Sequence, residues 1–165
     1  MQNVKLSKNF SLKELTKSDT AARASITNEP TEDRIEALKK LCENVLQPVR
    51  DKFGRINVNS GYRCPELCTK IGSSKTSNHV FGYAADIEPA DSDDNPVTNF
   101  ECLTWIAENL EFKELIAEYF NVDDKDAGWI HVAYQEGNNK KVIKLKDKTN
   151  NYRVVTLGEL KELYA

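Results

Sequence analysis

Apolar residues recur at helical spacing after Pro30. Ile35, Leu38, Cys42, Val45, Leu46 and Val49 form one stripe, which predicts a long helix capped by Thr31 and running to about Phe53. Pro48 is expected to kink or break it, because proline donates no amide and crowds the preceding turn. Gly54 is expected to end it in the left-handed conformation. A shorter helix of one to two turns is expected at Phe10-Ser11-Leu12-Lys13-Glu14-Leu15, where Ser11 and Glu14 fit a capping box and Phe10 a staple onto Leu15. Residues 19–30, the polar stretch 61–78 and residues 89–99 read as loops.

Alternation takes over elsewhere. Ile56–Ser60, Tyr83–Ile87, Glu114–Glu118 and Trp129–Tyr134 read as strands, and residues 139–155 as a hairpin turning near Asn150-Asn151. A helix with Phe100, Leu103, Ala107 and Leu110 on one face lies between the second and third strands. Thr156-x-x-Glu159 caps a final helix, with Val155 and Leu160 as a staple. Helices flanking an antiparallel sheet make an α+β fold. The 165 residues suit a single domain, with its core at about 9–136 and a C-terminal hairpin and helix at 137–165.

Composition narrows the function. The net charge of −3 gives no electrostatic reason to expect a nucleic-acid partner. The lysines of 139–148 alternate with apolar residues and read as the solvated face of an edge strand. No stretch is long and apolar enough to span a bilayer, so no membrane partner is expected. The opening MQNVKLSKNFSLKEL has neither a continuous apolar core nor a small-residue cleavage site, so no secretory signal and synthesis in a cytoplasm are expected. Cys42, Cys64, Cys68 and Cys102 are expected as free thiols, since one CxxxC pair without a second is a weak metal signal.

The candidate chemistry centres on the only two histidines, His79 and His131. Asp86 sits in the apolar run Tyr83-Ala84-Ala85-Asp86-Ile87, where a buried carboxylate needs a partner or a metal. Gly82 lets the chain turn between His79 and Asp86. Alternation places Trp129, His131 and Ala133 on one strand face. Two imidazoles and one carboxylate with a fourth position open is the pattern of a catalytic zinc. On spacing alone, two satisfied core histidines and a turn-capping aspartate fit equally well.

Ser77-x-His79-x-x-Gly82-x-Ala84-x-Asp86 followed by Trp129-x-His131 closely resembles the M15 family of zinc peptidases, whose fold is shared with D-Ala-D-Ala carboxypeptidases and hedgehog signalling domains. Asn59-Ser60-Gly61-Tyr62-Arg63 resembles the family's Ser-Gly-Tyr-Arg signature, and Phe10–Leu15 resembles the opening of members from bacteriophages and bacteria. The resemblance covers about residues 9 to 136. It implies one zinc ion held by His79, Asp86 and His131. It makes Arg63 a substrate-binding and catalytic arginine, whose guanidinium can hold a carboxylate or stabilise an oxyanion. It also sets Ser77 and Trp129 beside the substrate, Ser77 as a supporting hydrogen-bond group near the metal.

One position departs from the family. Many members carry Glu or Asp three residues before the last histidine, where this chain has Gly128. Glu118, at the end of a strand resembling the one that carries the catalytic glutamate in hedgehog-like relatives, is preferred as the general base. Asp126, in the loop before Gly128, is the alternative. Cys64 and Cys68 stand beside Arg63 as candidate lining residues but not as ligands.

The expected function is therefore zinc-dependent hydrolysis of a peptide bond in peptidoglycan stem or cross-link peptides, by a D,D- or L,D-carboxypeptidase or endopeptidase acting as a monomer. The competing classes are a catalytically inactive zinc-containing binding or phage structural module, which Gly128 favours, and a zinc amidase acting elsewhere in the wall. The expected settings are a phage endolysin, a virion component or a bacterial recycling enzyme.

Overall fold

Alternation along Glu114–Glu118 explains how the sheet is used. Leu115 and Ala117 enter the apolar core, while Glu114, Ile116 and Glu118 face a cavity on the other side. The neighbouring strand repeats this pattern, with Ile130 and Val132 in the core and Trp129 and His131 toward the cavity. The computed structural model describes residues 2–90 and 96–165, so part of the expected loop 89–99 lies outside the described residues.

The molecule is α+β. Strands β1 (Ile56–Ser60), β2 (Ala84–Pro89), β3 (Glu114–Glu118), β4 (Trp129–Ala133), β5 (Val142–Lys146) and β6 (Tyr152–Val154) form a sheet in the order β1-β2-β4-β3-β5-β6. Every neighbouring pair is antiparallel except β3 and β5, so the sheet is mixed rather than purely antiparallel as expected. The cause is local. After β4 the chain passes the start of β3, where Lys141 and Val142 donate backbone hydrogen bonds to Phe112 and Lys113 at 3.0 and 3.3 Å. Strand β5 is thereby set beside β3, running the same way.

Helices cover the apolar face. They are α1 (Leu12–Thr16), α2 (Asp19–Arg23), α3 (Glu32–Leu41), α4 (Gln47–Phe53), α5 (Pro65–Ile71), α6 (Asn99–Asn109) and α7 (Leu157–Tyr164). The stripe Leu38, Cys42, Val45, Leu46 and Val49 is buried among Leu103, Ile106, Leu115 and Ile130. At roughly 1.5–3 kcal/mol for each fully buried large aliphatic side chain, this layer is the main support of the sheet. Pro48 does not end the helical run, but the regular α-helix is interrupted just before it. A π-helical turn at Cys42–Leu46 joins α3 to α4, and the Gln47 N–H reaches back five residues to the Cys42 carbonyl. That widened turn removes the crowding and the missing bond that proline would impose on a regular helix.

Other expectations need correction. Thr31 stands at the start of α3 but makes no side-chain cap; its hydroxyl bonds the Asp33 carboxylate. Gly54 does end α4 at positive φ, but with φ 84° and ψ −154° it is not in the left-handed helical region. Two short helices occupy expected loops. Ser18 caps α2 through the Ala21 amide, and α5 carries Pro65 in its first turn and left-handed Gly72 after its end. These are start and stop signals with little apolar periodicity between them. The deepest face of α6 is Asn99, Cys102, Leu103 and Ile106; Phe100, Ala107 and Leu110 flank it half-buried. Strand β5 lies between β3 and β6, so its lysines are not on an edge strand.

Candidate metal centre

Strand register assembles the centre. Asp86 on β2 lies opposite His131 on β4, which lies opposite Ile116 on β3, which lies opposite Lys144 on β5. His79 arrives from the turn before β2. There the His79 amide donates to Ser77 Oγ at 3.2 Å, and Gly82 adopts φ +75°. A Cβ on Gly82 would lie 2.5 Å from the Arg34 carbonyl oxygen, so only glycine lets this turn pack against α3 and feed β2.

His79, Asp86 and His131 are buried, and their potential ligand atoms lie within 4.8 Å of one another. Asp86 Oδ1 is 3.4 Å from His79 Nε2 and 3.1 Å from His131 Nδ1. His79 Nδ1 donates to the Gly61 carbonyl at 2.7 Å, which places a proton on Nδ1 and turns Nε2 toward the carboxylate. Arg63 donates from Nη2 to Asp86 Oδ2 at 3.0 Å and from Nε to Ser60 Oγ at 2.9 Å, so the second carboxylate oxygen is anchored. A donor set of two imidazoles and one carboxylate, with outer partners already orienting two of the three, fits zinc.

Electrostatics agree with a site built for a cation. Burial pushes Asp86 up, but His79 and His131 outweigh it and hold the carboxyl well below the ordinary range. Burial pushes His79 down, with Asp86 offsetting only part of the shift. Burial also acts to lower His131, but Asp86 and Glu114 overcome it and raise it to about 9. Without metal, His131 is therefore protonated at neutral pH and must lose that proton to become a ligand. Zinc binding at pH 7 is expected to release roughly one proton, and affinity is expected to climb with pH until about 9. Calorimetric titration in buffers of different ionisation enthalpy measures both; no proton release at pH 7 would contradict this assignment.

Residues absent from the sequence reading complete the centre. Glu114 Oε1 lies 3.2 Å from His131 Nε2, an ion-pair distance without hydrogen-bond alignment. Lys144 donates to Glu114 Oε2 at 2.6 Å. Burial pushes Glu114 up, yet His131 and Lys144 bring it down to about 2. Asn78, Lys113 and Gln135 continue the network, with Lys113 Nζ donating to both amide oxygens at 3.0 and 2.8 Å. The charge alternation in Val142–Lys146 was the available signal, but only the parallel pairing of β3 and β5 joins Lys144 to Glu114.

The trio lies in a cavity of about 640 Å³. Arg63, Ser77, Glu118 and Trp129 all line it, as do Ser73, Ser74, Thr76 and Asn78 on one wall and Lys144, Lys146 and Tyr152 on another. Glu118 is buried. Burial and the neighbouring Asp86 push its carboxyl up, partly offset by His131, Lys146 and Trp129. The indole Nε1 of Trp129 thus favours the ionised form of Glu118 without meeting it in full hydrogen-bond geometry. Asp126 does not share this cavity; it lines a separate cleft with Asn57, Glu88 and Asn99. Cys64 and Cys68 do not line it either. Both are buried free thiols, and Cys68 Sγ approaches the Arg63 carbonyl oxygen at 3.9 Å.

A family model described as Peptidase M15 matches residues 8–133. No curated protein matches the chain significantly.

Proposed function

The chain belongs to the peptidase M15 family, and we propose that it is a zinc-dependent peptidase that cleaves a peptide bond in peptidoglycan stem or cross-link peptides. The carrying observation is that His79, Asp86 and His131 converge in one cavity with Glu118. A hedgehog/DD-peptidase-like arrangement belongs to the same reading. His79 Nε2, Asp86 Oδ1 and His131 Nδ1 would hold the ion. When bound, zinc supplies Lewis acidity toward a carbonyl and lowers the pKa of water.

The protein's own groups do the rest. Glu118 takes a proton from the attacking water and returns it to the leaving amine; a carboxyl with a raised pKa suits both directions. Arg63 fixes Asp86 and lines the cavity with the rest of its guanidinium, where it can hold a substrate carbonyl. Ser77 stiffens the His79 turn, and Trp129 walls the site beside Glu118.

Purified peptidoglycan incubated with zinc-loaded protein is expected to release new amino-acid termini, and a chelator is expected to stop the release. Release of sugar-linked ends instead would mark an amidase. No release of either kind, with zinc bound, would favour a zinc-containing binding or phage structural module, the reading that Gly128 suggests.

A further inference from the structure

Strand β5 lies beyond the residues matched by the family, yet it builds one wall of the cavity. Its two inward lysines differ. Lys144 is neutralised by Glu114 at 2.6 Å. Lys146 has no ion-pair partner within 4.0 Å among the described residues; aromatic rings surround it instead. Its Nζ lies 4.7 Å from the Tyr152 ring centroid and 5.3 Å from that of Tyr119.

Register fixes this arrangement. Trp129 pairs with Glu118, Glu118 with Lys146, and Lys146 with Tyr152, which makes a row adjacent to the one carrying Asp86 and His131. Tyr119 holds φ +59°, a rare backbone for a bulky residue, and its ring packs on Trp129 at 5.1 Å. Its amide is tied to the Lys146 carbonyl at 2.9 Å, and its hydroxyl is bonded to Asn150 Oδ1. This outlier is held from several sides beside Glu118, and it sets the Tyr119 ring against the Lys146 ammonium.

Resting on the peptidase reading above, we propose that Lys146, framed by Tyr119 and Tyr152, is a specificity-determining subsite that binds a carboxylate of the substrate peptide. Paired rings around a cationic position recognise ammonium ligands when that position is empty. Here the protein's own ammonium fills it, so the lip presents a held positive charge, and its complement is an anion. Arg63 already has two nitrogens engaged by Ser60 and Asp86, and Lys144 is matched by Glu114. That leaves Lys146 as the cavity cation without an ion-paired carboxylate among the described residues, Glu118 acting on it only from across the strand pair. Strand spacing sets the Cα of Lys146 on the order of 12 Å from that of His131. The lysine side chain covers part of that span, and the remainder suits a carboxylate within about two residues of the scissile bond at about 3.5 Å per extended residue.

The test is a binding measurement, separate from turnover. Zinc-loaded wild type, Lys146→Met and Lys146→Arg are titrated calorimetrically with N-acetyl-D-alanyl-D-alanine and with its C-terminal amide, after circular dichroism has verified the fold of each variant. Wild type is expected to prefer the acid by roughly tenfold, Lys146→Met to bind both equally, and Lys146→Arg to keep most of the preference. Equal affinity for acid and amide in wild type, no binding of the acid, or an undiminished preference in Lys146→Met would each overturn the proposal. Hydrolysis is scored independently. An acid preference that collapses in Lys146→Met with no turnover of peptidoglycan would keep the subsite and remove the peptidase reading.

Discussion

Glu118→Gln is expected to lower the rate of peptide hydrolysis by about 10²–10⁴-fold while zinc remains bound. Glutamine keeps the volume of the buried side chain and its place on β3 but cannot accept the proton. Glu118 is not one of the three convergent ligand groups, so the metal content of the variant should equal that of wild type. Asp126→Asn supplies the contrast. Asp126 lines the cleft with Asn57 and Glu88, away from the trio, and this change is expected to alter the rate by less than about twofold, as an ordinary surface substitution does. Metal analysis and initial rates on a soluble wall peptide decide the matter. Full activity in Glu118→Gln, or a large loss in Asp126→Asn, would transfer the base to the other acid.

That contrast follows from what strand alternation can and cannot reveal. The bounds of β1 and β3 were readable because Ile56–Ser60 and Glu114–Glu118 are short alternating runs between clear breaks. Once β3 is a strand, Glu118 must share a face with Ile116, and the apolar partners Leu115 and Ala117 must take the other. Thr156-x-x-Glu159 likewise forms the reciprocal capping box that its spacing implies. His79 and Asp86 stand out because a carboxylate in an apolar run and a glycine-hinged turn are costly unless used. Spacing alone, however, fits two satisfied core histidines equally well, and only the resemblance to the peptidase family chooses between them.

Glu114 and Lys144 escaped for a different reason. Each looks like a solvated charge on an alternating strand, and 30 positions separate them. Their bond exists only because β5 lies parallel to β3 in a register that no local pattern encodes. Two further elements were missed through weak periodicity. Helix α5 buries Leu67 and Cys68 between its proline start and glycine stop, too few apolar positions to outweigh a polar stretch. The π turn at Cys42–Leu46 leaves the apolar stripe nearly unchanged, so periodicity alone could not separate it from a kink at Pro48.

Gly128→Ala is expected to destabilise the protein by about 3 kcal/mol or more, and an acidic residue at 128 by more still. Gly128 sits at φ +77°, and a Cβ built there would lie 2.0 Å from the Glu118 carbonyl oxygen and 2.7 Å from the Tyr119 carbonyl carbon. These are backbone atoms, so no side chain can swing aside; β3 or β4 must move. The positive φ alone costs a β-carbon residue roughly 1–2 kcal/mol. The Gly128 carbonyl also accepts from Asn99 Nδ2 at 3.0 Å, which ties this position to α6 and opposes any shift. Thermal unfolding should report a fall of roughly 6–12 °C for alanine, taking about 2–4 °C per kcal/mol for a chain of this size. Gly128→Glu, which restores the acid common in the family, is therefore expected to abolish activity rather than enhance it. The new side chain would displace the Glu118 backbone and, with it, the carboxylate proposed as base. The glycine and the glutamate are one solution: with the end of β3 packed this closely on the start of β4, position 128 has no room for an acid, and the cavity receives one from β3. A Gly128→Glu variant that melts with wild type and hydrolyses peptide as fast would show that the close approach of the two strands is not required.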